Sequence, residues 1–170
     1  MTINWFSKKD IKILPKIQVY NLHGLVLPHA GTSHSGNIIS HTIRYRPKKD
    51  FENIIIFYLP ADKNEEEYHE YIVPMNSLKM IYKNKKFIGY NMLSPDNSVL
   101  EGLNLSNTFF VISADFSHFL DFEEAIEKEN CAAKSLMFKN YNIECTKVVD
   151  DKRTFKHFFG KFNNLVLDWV

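Results

Sequence analysis

Three short segments carry almost nothing but apolar side chains: Gly24-Leu25-Val26-Leu27-Pro28, Asn53-Ile54-Ile55-Ile56-Phe57-Tyr58-Leu59 and Thr108-Phe109-Phe110-Val111-Ile112-Ser113. Each lacks the apolar–polar alternation of a half-exposed strand, so each reads as a strand covered on both faces. Strands of that kind belong to parallel sheets, and the stretches between them supply crossover helices. Ile38, Ile39, Thr42, Ile43 and Arg46 fall at helical spacing after Ser35, which reads as the N-cap. Strand, loop, helix, strand is the opening of an α/β fold: a three-layer domain with a mostly parallel central sheet flanked by helices.

Weaker signals fill the rest. Ala61 to Glu70 is polar and acidic and reads as a surface loop. Tyr71-Ile72-Val73 and Lys86 to Tyr90 are strand candidates. Ser94 and Pro95 read as the cap and first residue of a helix whose inner face is Val99, Leu100 and Leu103. Asp121 with Glu124 forms a capping-box pattern ahead of a long helix, and Glu124 and Lys128 form a favourable i, i+4 pair. Ile143 to Val149 suggests another strand, Arg153 to Phe159 a short helix, and Leu165 to Leu167 a last strand. No repeat or linker interrupts the chain, so residues 1–170 read as one domain.

The chain's 170 residues include 14 Phe and 8 Tyr, ample for one core. Lys and Arg total 21 against 20 Asp and Glu. This near balance lacks the concentrated basic face of a nucleic-acid binder. The run Lys83-Asn84-Lys85-Lys86 reads as a solvated turn. The longest apolar run, Ile54 to Pro60, falls far short of the roughly 20 residues of a membrane helix, and no signal peptide is evident. Cys131 and Cys145 make no disulfide framework and no CxxC pair, which favours a reducing compartment. Cys131 reads as a packing residue within a helix. A cytoplasmic protein that binds neither nucleic acid nor membrane is the expectation. Nothing in the sequence speaks to its oligomeric state.

His29 directly follows one buried strand, and Asp115 and His118 follow another. Ligands of open α/β sheets bind beyond the carboxyl ends of the strands, so the three residues should face one crevice. Two histidines and a carboxylate are the inventory of a facial triad that holds Fe(II). The same residues also suit a His–Asp hydrogen-bond pair that fixes a loop, and spacing alone leaves both readings open.

Pro28-His29-Ala30-Gly31-Thr32-Ser33-His34-Ser35-Gly36 resembles the Pro-His-Ala-Gly-Tyr-x-Tyr-Ser-Gly signature of the MEMO family. Ser113-Ala114-Asp115-Phe116-Ser117-His118 resembles its Ser-Ser-Asp-x-x-His signature, and Trp5-Phe6-Ser7 its Trp-Tyr-Pro or Trp-Tyr-Thr opening. The resemblance implies a fold similar to class III extradiol dioxygenases, with His29 a metal ligand. It also implies links to copper or iron redox chemistry and to phosphotyrosine-peptide binding. The departures are as informative. Asp62, in Leu59-Pro60-Ala61-Asp62, stands where the family's Gly-Pro-Ser-His places a second histidine ligand; the Ala-Cys-Gly ligand has no counterpart, and the chain is much shorter. A carboxylate suits Fe(II) or another divalent ion better than copper.

Three functions follow from these residues. The first is a binding protein with a degenerate metal crevice, taking a peptide or small anion on Trp5, Thr32, His34 and Ser35. The second is a metal-dependent oxidoreductase, with His29 and Asp62 as ligands and Asp115 and His118 catalytic, His118 as general base. The third is an interaction protein that keeps only the fold. His23, His41, His69 and His157 have no supporting context and read as structural or exposed.

Overall fold

A computed structural model describes residues 5–61, 68–117 and 120–167, which form two compact units, Met1–Ser113 and Ala114–Val170. The architecture is α/β with a parallel sheet flanked by helices, as the buried segments require.

In the first unit the order is β1 (Ile17–Val19), β2 (Gly24–Leu27), α1 (Thr32–Thr42), β3 (Tyr45–Pro47), β4 (Asn53–Tyr58), α2 (His69–Lys79), β5 (Lys86–Asn91), α3 (Asn97–Glu101) and β6 (Thr108–Ser113). The main sheet has strand order β2-β6-β4-β5, every pairing parallel, and β1 and β3 form a separate parallel pair. Helices α1 and α2 pack Ile39, Ile43, Val73 and Leu78 against Ile54, Ile56, Phe109 and Val111 on one face. On the other face Ile55, Phe57, Phe110 and Ile112 are also buried, and the Tyr90 hydroxyl reaches Asn97 at the start of α3. Strand β4 therefore buries both faces, which is why it shows no alternation. Gly24 is required by the β2–β6 pairing, because a Cβ there would lie 2.3 Å from the carbonyl oxygen of Phe110.

Several local expectations are corrected. Helix α1 starts at Thr32, and Ser35 is not its cap: inside the helix its hydroxyl donates to the Ala30 carbonyl. The helix ends at Thr42, and Arg46 lies on β3. Tyr71 to Val73 are helical, within α2, which carries Pro74 in its interior. Glu70 belongs to the same helix and is buried. The cap of α3 is Asp96, whose carboxylate accepts from the Ser98 backbone, so Pro95 precedes the helix.

The second unit holds α4 (Phe122–Met137), a 3-10 turn (Glu144–Val148) and α5 (Lys152–Lys161). Asp121 caps α4 by accepting from the Glu124 backbone at 2.9 Å, as its sequence pattern predicts. Glu144–Val148 is a turn and not a strand, with the buried Thr146 hydroxyl turned back onto the Ile143 carbonyl. Leu165 to Leu167 pair with no strand among the described residues.

The reading of the cysteines is overturned. The turn after α4 brings the Cα atoms of Cys131 and Cys145 to 5.9 Å, within bridging range, and they form a disulfide. Disulfides persist in oxidising surroundings, so the cysteines no longer argue for a reducing compartment. Among the described residues no helix is long and apolar enough to cross a membrane.

Candidate functional site

The register of β2 against β6 aligns Leu27 with Ser113, so the two strands end side by side. His29 lies two residues past Leu27, buried, with Nδ1 3.0 Å from the Ser113 hydroxyl. That hydroxyl is itself 2.6 Å from the carbonyl oxygen of Glu70, to which it donates.

The Glu70 carbonyl is open to an outside donor for a covalent reason. In α2 it would accept from the backbone N–H four residues on, but that residue is Pro74, which has none. A buried carbonyl needs another donor, and Ser113 supplies it. Serine carries a single hydroxyl proton. Because that proton goes to Glu70, Ser113 must accept from His29, and Nδ1 of His29 must carry a proton. The lone pair of the neutral ring is then on Nε2. A histidine whose Nδ1–H is tied to a fixed acceptor is oriented as metal-ligating histidines are.

A second imidazole stands beside the first. His69, the first residue of α2, places its ring centroid 5.6 Å from that of His29 at 72°. It stacks on Trp5 at 4.1 Å and 13°. Trp5 is anchored in turn, its carbonyl accepting from the Thr32 backbone at 3.0 Å. Nδ1 of His69 lies 3.6 Å from Oε2 of Glu70. The other oxygen, Oε1, accepts from the Ala61 backbone at 2.7 Å. Oε2 has no hydrogen-bond donor among the described residues although Glu70 is only 1% exposed. A buried carboxylate oxygen in that condition is costly, and the Nδ1–H tautomer of the neutral His69 ring would offset part of that cost. Both rings thus turn Nδ1 toward an acceptor.

The remaining sequence candidates are dispersed. Thr32 is buried, donating to the Asp10 carboxylate at 3.0 Å and accepting from the Ser7 backbone at 2.8 Å, so it fastens the chain ahead of β1 to α1. Ser35 is buried against Ala30, and His34 is exposed. Asp62 and His118 lie outside the described residues. Asp115 belongs to the second unit, where its backbone N–H donates to the Asp150 carboxylate at 3.0 Å and its carbonyl accepts from the Asp150 backbone at 3.2 Å. One carboxylate oxygen of Asp115 lies within 4.8 Å of one of Asp150.

Sequence reasoning passed over His69, Glu70 and Asp150. A signal for Glu70 was present, since a proline four residues on frees its carbonyl in any helix that contains both. Nothing in the spacing of His69 or Asp150 could have found them. No protein-family model matches the chain, and no curated protein sequence matches it.

Proposed function

We propose that this chain is a MEMO-like protein that binds one divalent metal ion through the Nε2 atoms of His29 and His69. The observation that carries the reading is the relay from Pro74 through the Glu70 carbonyl and the Ser113 hydroxyl, which leaves the His29 lone pair on Nε2. Imidazole nitrogens suit iron, zinc and copper, and an added carboxylate favours ferrous iron. Asp62, at the position of the family's second histidine ligand, is the carboxylate we assign to that ion. Bound there, a divalent ion would act as a Lewis acid with open positions for a ligand.

The test is metal analysis of the full chain purified without chelators. The expected result is about one ion per chain in the wild type, the stoichiometry of a single site, and its loss in both His29→Ala and His69→Ala. Stoichiometric metal retained in either variant overturns the assignment.

A second reading is favoured by the Trp5–His69 stack, an aromatic platform beside two imidazoles. In it the crevice binds a peptide or a small anion without turnover. Oxygen uptake by the Fe(II)-loaded protein with a catechol separates the two: uptake that disappears in His29→Ala assigns oxidoreductase chemistry, and its absence leaves the binding role.

A further inference from the structure

At the other end of the main sheet, next to the amino ends of β4 and β5, lies an open cavity of about 230 Å³. Lys16, Arg46, Lys48, Lys49, Asp50 and Tyr82 line it. The parallel β1–β3 pair builds one wall, with Gln18 in register with Arg46. The six residues of β4 separate this cavity from the imidazole end of the sheet, a span of roughly 20 Å.

Its charge is one-sided. Among the described residues the one carboxylate on the lining is Asp50, which is already paired with Lys85 at 2.7 Å, and that pair holds the Asp50 carboxyl below its usual range. Lys49 donates to the neutral carbonyl of Ser106 at 2.9 Å, and Lys48 to the neutral hydroxyl of Tyr20. Neither contact cancels the ammonium charge. Among the described residues Lys16 and Arg46 make no ion pair.

Two donors in the lining also lack acceptors. Nε of Arg46 and the hydroxyl of Tyr82 are buried without a hydrogen-bond partner among the described residues. A buried, unsatisfied donor is unfavourable, and a bound acceptor would satisfy it. Burial pushes the Tyr82 phenol up to about 12, against the opposing effect of Arg46, so it remains a donor at neutral pH. Phe51 is buried in the core and meets the half-buried Tyr82 edge to face at 5.1 Å, which fixes the Tyr82 ring as the aromatic wall beside the cations.

We propose that this cavity binds a small phosphomonoester, its phosphate held by Arg46 and the Tyr82 hydroxyl within the field of Lys16, Lys48 and Lys49, and its organic group resting against the Tyr82 ring. Guanidinium presents several donors in a fixed fork that matches phosphate oxygens, and uncompensated lysines raise the local anion concentration. Among the described residues no carboxylate other than Asp50, paired with Lys85, lines the cavity to repel a dianion.

The experiment titrates the full-length wild type with phenyl phosphate and with inorganic phosphate at constant ionic strength in chloride, following backbone amide resonances. Saturable shifts are expected at residues 16–18, 46, 48–51 and 82. Phenyl phosphate should bind at least about 3-fold tighter than inorganic phosphate because of the aromatic wall. Arg46→Met should weaken phenyl phosphate by about 10-fold or more and Tyr82→Phe by about 3- to 10-fold, as loss of charge-assisted and neutral donors predicts. Lys134→Met, an exposed lysine on α4, should change nothing. Three results each overturn the proposal: wild-type shifts that are absent or spread over the surface, equal weakening by Arg46→Met and Lys134→Met, and equal affinity for the two phosphates. Tighter binding of an unphosphorylated single-stranded oligonucleotide also overturns it, in favour of a nucleic-acid backbone. The wild-type shift map does not depend on any variant folding.

Discussion

The two ends of the main sheet face opposite chemical tasks. At the carboxyl ends of β2 and β6 the polar groups answer one another in sequence: Ser113 donates to Glu70, accepts from His29, and Glu70 faces His69. Imidazole nitrogens gathered at that end are the basis for the metal reading proposed above. Around the amino ends of β4 and β5 the surplus is of donors and positive charge, with Asp50 paired to Lys85, the basis for the anion proposed there. The same parallel sheet supports both because every strand delivers its amino end to one edge and its carboxyl end to the other. The loops at each edge then specialise independently.

That independence can be broken at the sheet itself. Ile56 of β4 is fully buried, and Ile56→Ala should cost about 2–5 kcal/mol in urea unfolding and weaken both ends together. An unchanged urea midpoint would mean that the sheet does not hold the two ends. Next in size is the disulfide of the second unit. Its closed loop spans a sequence separation of 14, so reduction should remove about 3 kcal/mol of that unit's stability. Phosphate-induced shifts at residues 46 and 48–51 should survive reduction, and their loss would tie the cationic cavity to the second unit.

Smaller changes should separate the ends. Ser113→Ala removes the acceptor that orients His29, so metal affinity should fall about 10- to 100-fold, with phenyl phosphate binding unaffected. Pro74→Ala returns an N–H that competes with Ser113 for the Glu70 carbonyl. Nitrogen-15 spectra of His29 should then move from a single Nδ1–H form to a mixture, with metal affinity about 3- to 10-fold lower, at the mild end of outer-partner effects. A spectrum identical to the wild type would remove Pro74 from the relay.

The smallest effect is a titration. Burial raises the Tyr82 phenol above its unfolded value of 10, to about 12. Its contribution to stability is therefore complete below pH 10 and is lost as pH rises through about 12. Tyr82→Phe should delete the last component of the tyrosinate absorbance rise. If that component persists, it belongs to another tyrosine.

Much of this molecule was legible in its sequence because the signals are local. Apolar runs without alternation determined the buried strands β4 and β6 and hence a parallel sheet, whereas β2, an edge strand, is fully buried only at Leu27. His29 and Ser113 could be placed at strand ends because each directly follows or closes such a run. Asp121 capped α4 as its pattern required, since capping is decided within four residues. Other signals were local too but pointed the wrong way. The β-branched and aromatic run Tyr71 to Val73 favours a strand by propensity, yet it lies in α2, where Val73 packs into the core.

What only the tertiary structure decided is who answers whom. Pro74 announces that a carbonyl will lack its helical partner, but the donor comes from Ser113, 43 residues from Glu70. His69 becomes a candidate ligand because α2 begins beside β2's end and Trp5 stacks on it. The disulfide forms because a turn, not a strand, follows α4. Periodicity and capping are settled by neighbours a few residues away, so the sequence alone carries them. Hydrogen-bond partners, ion pairs and cross-links depend on which elements pack together, and packing is a property of the whole fold.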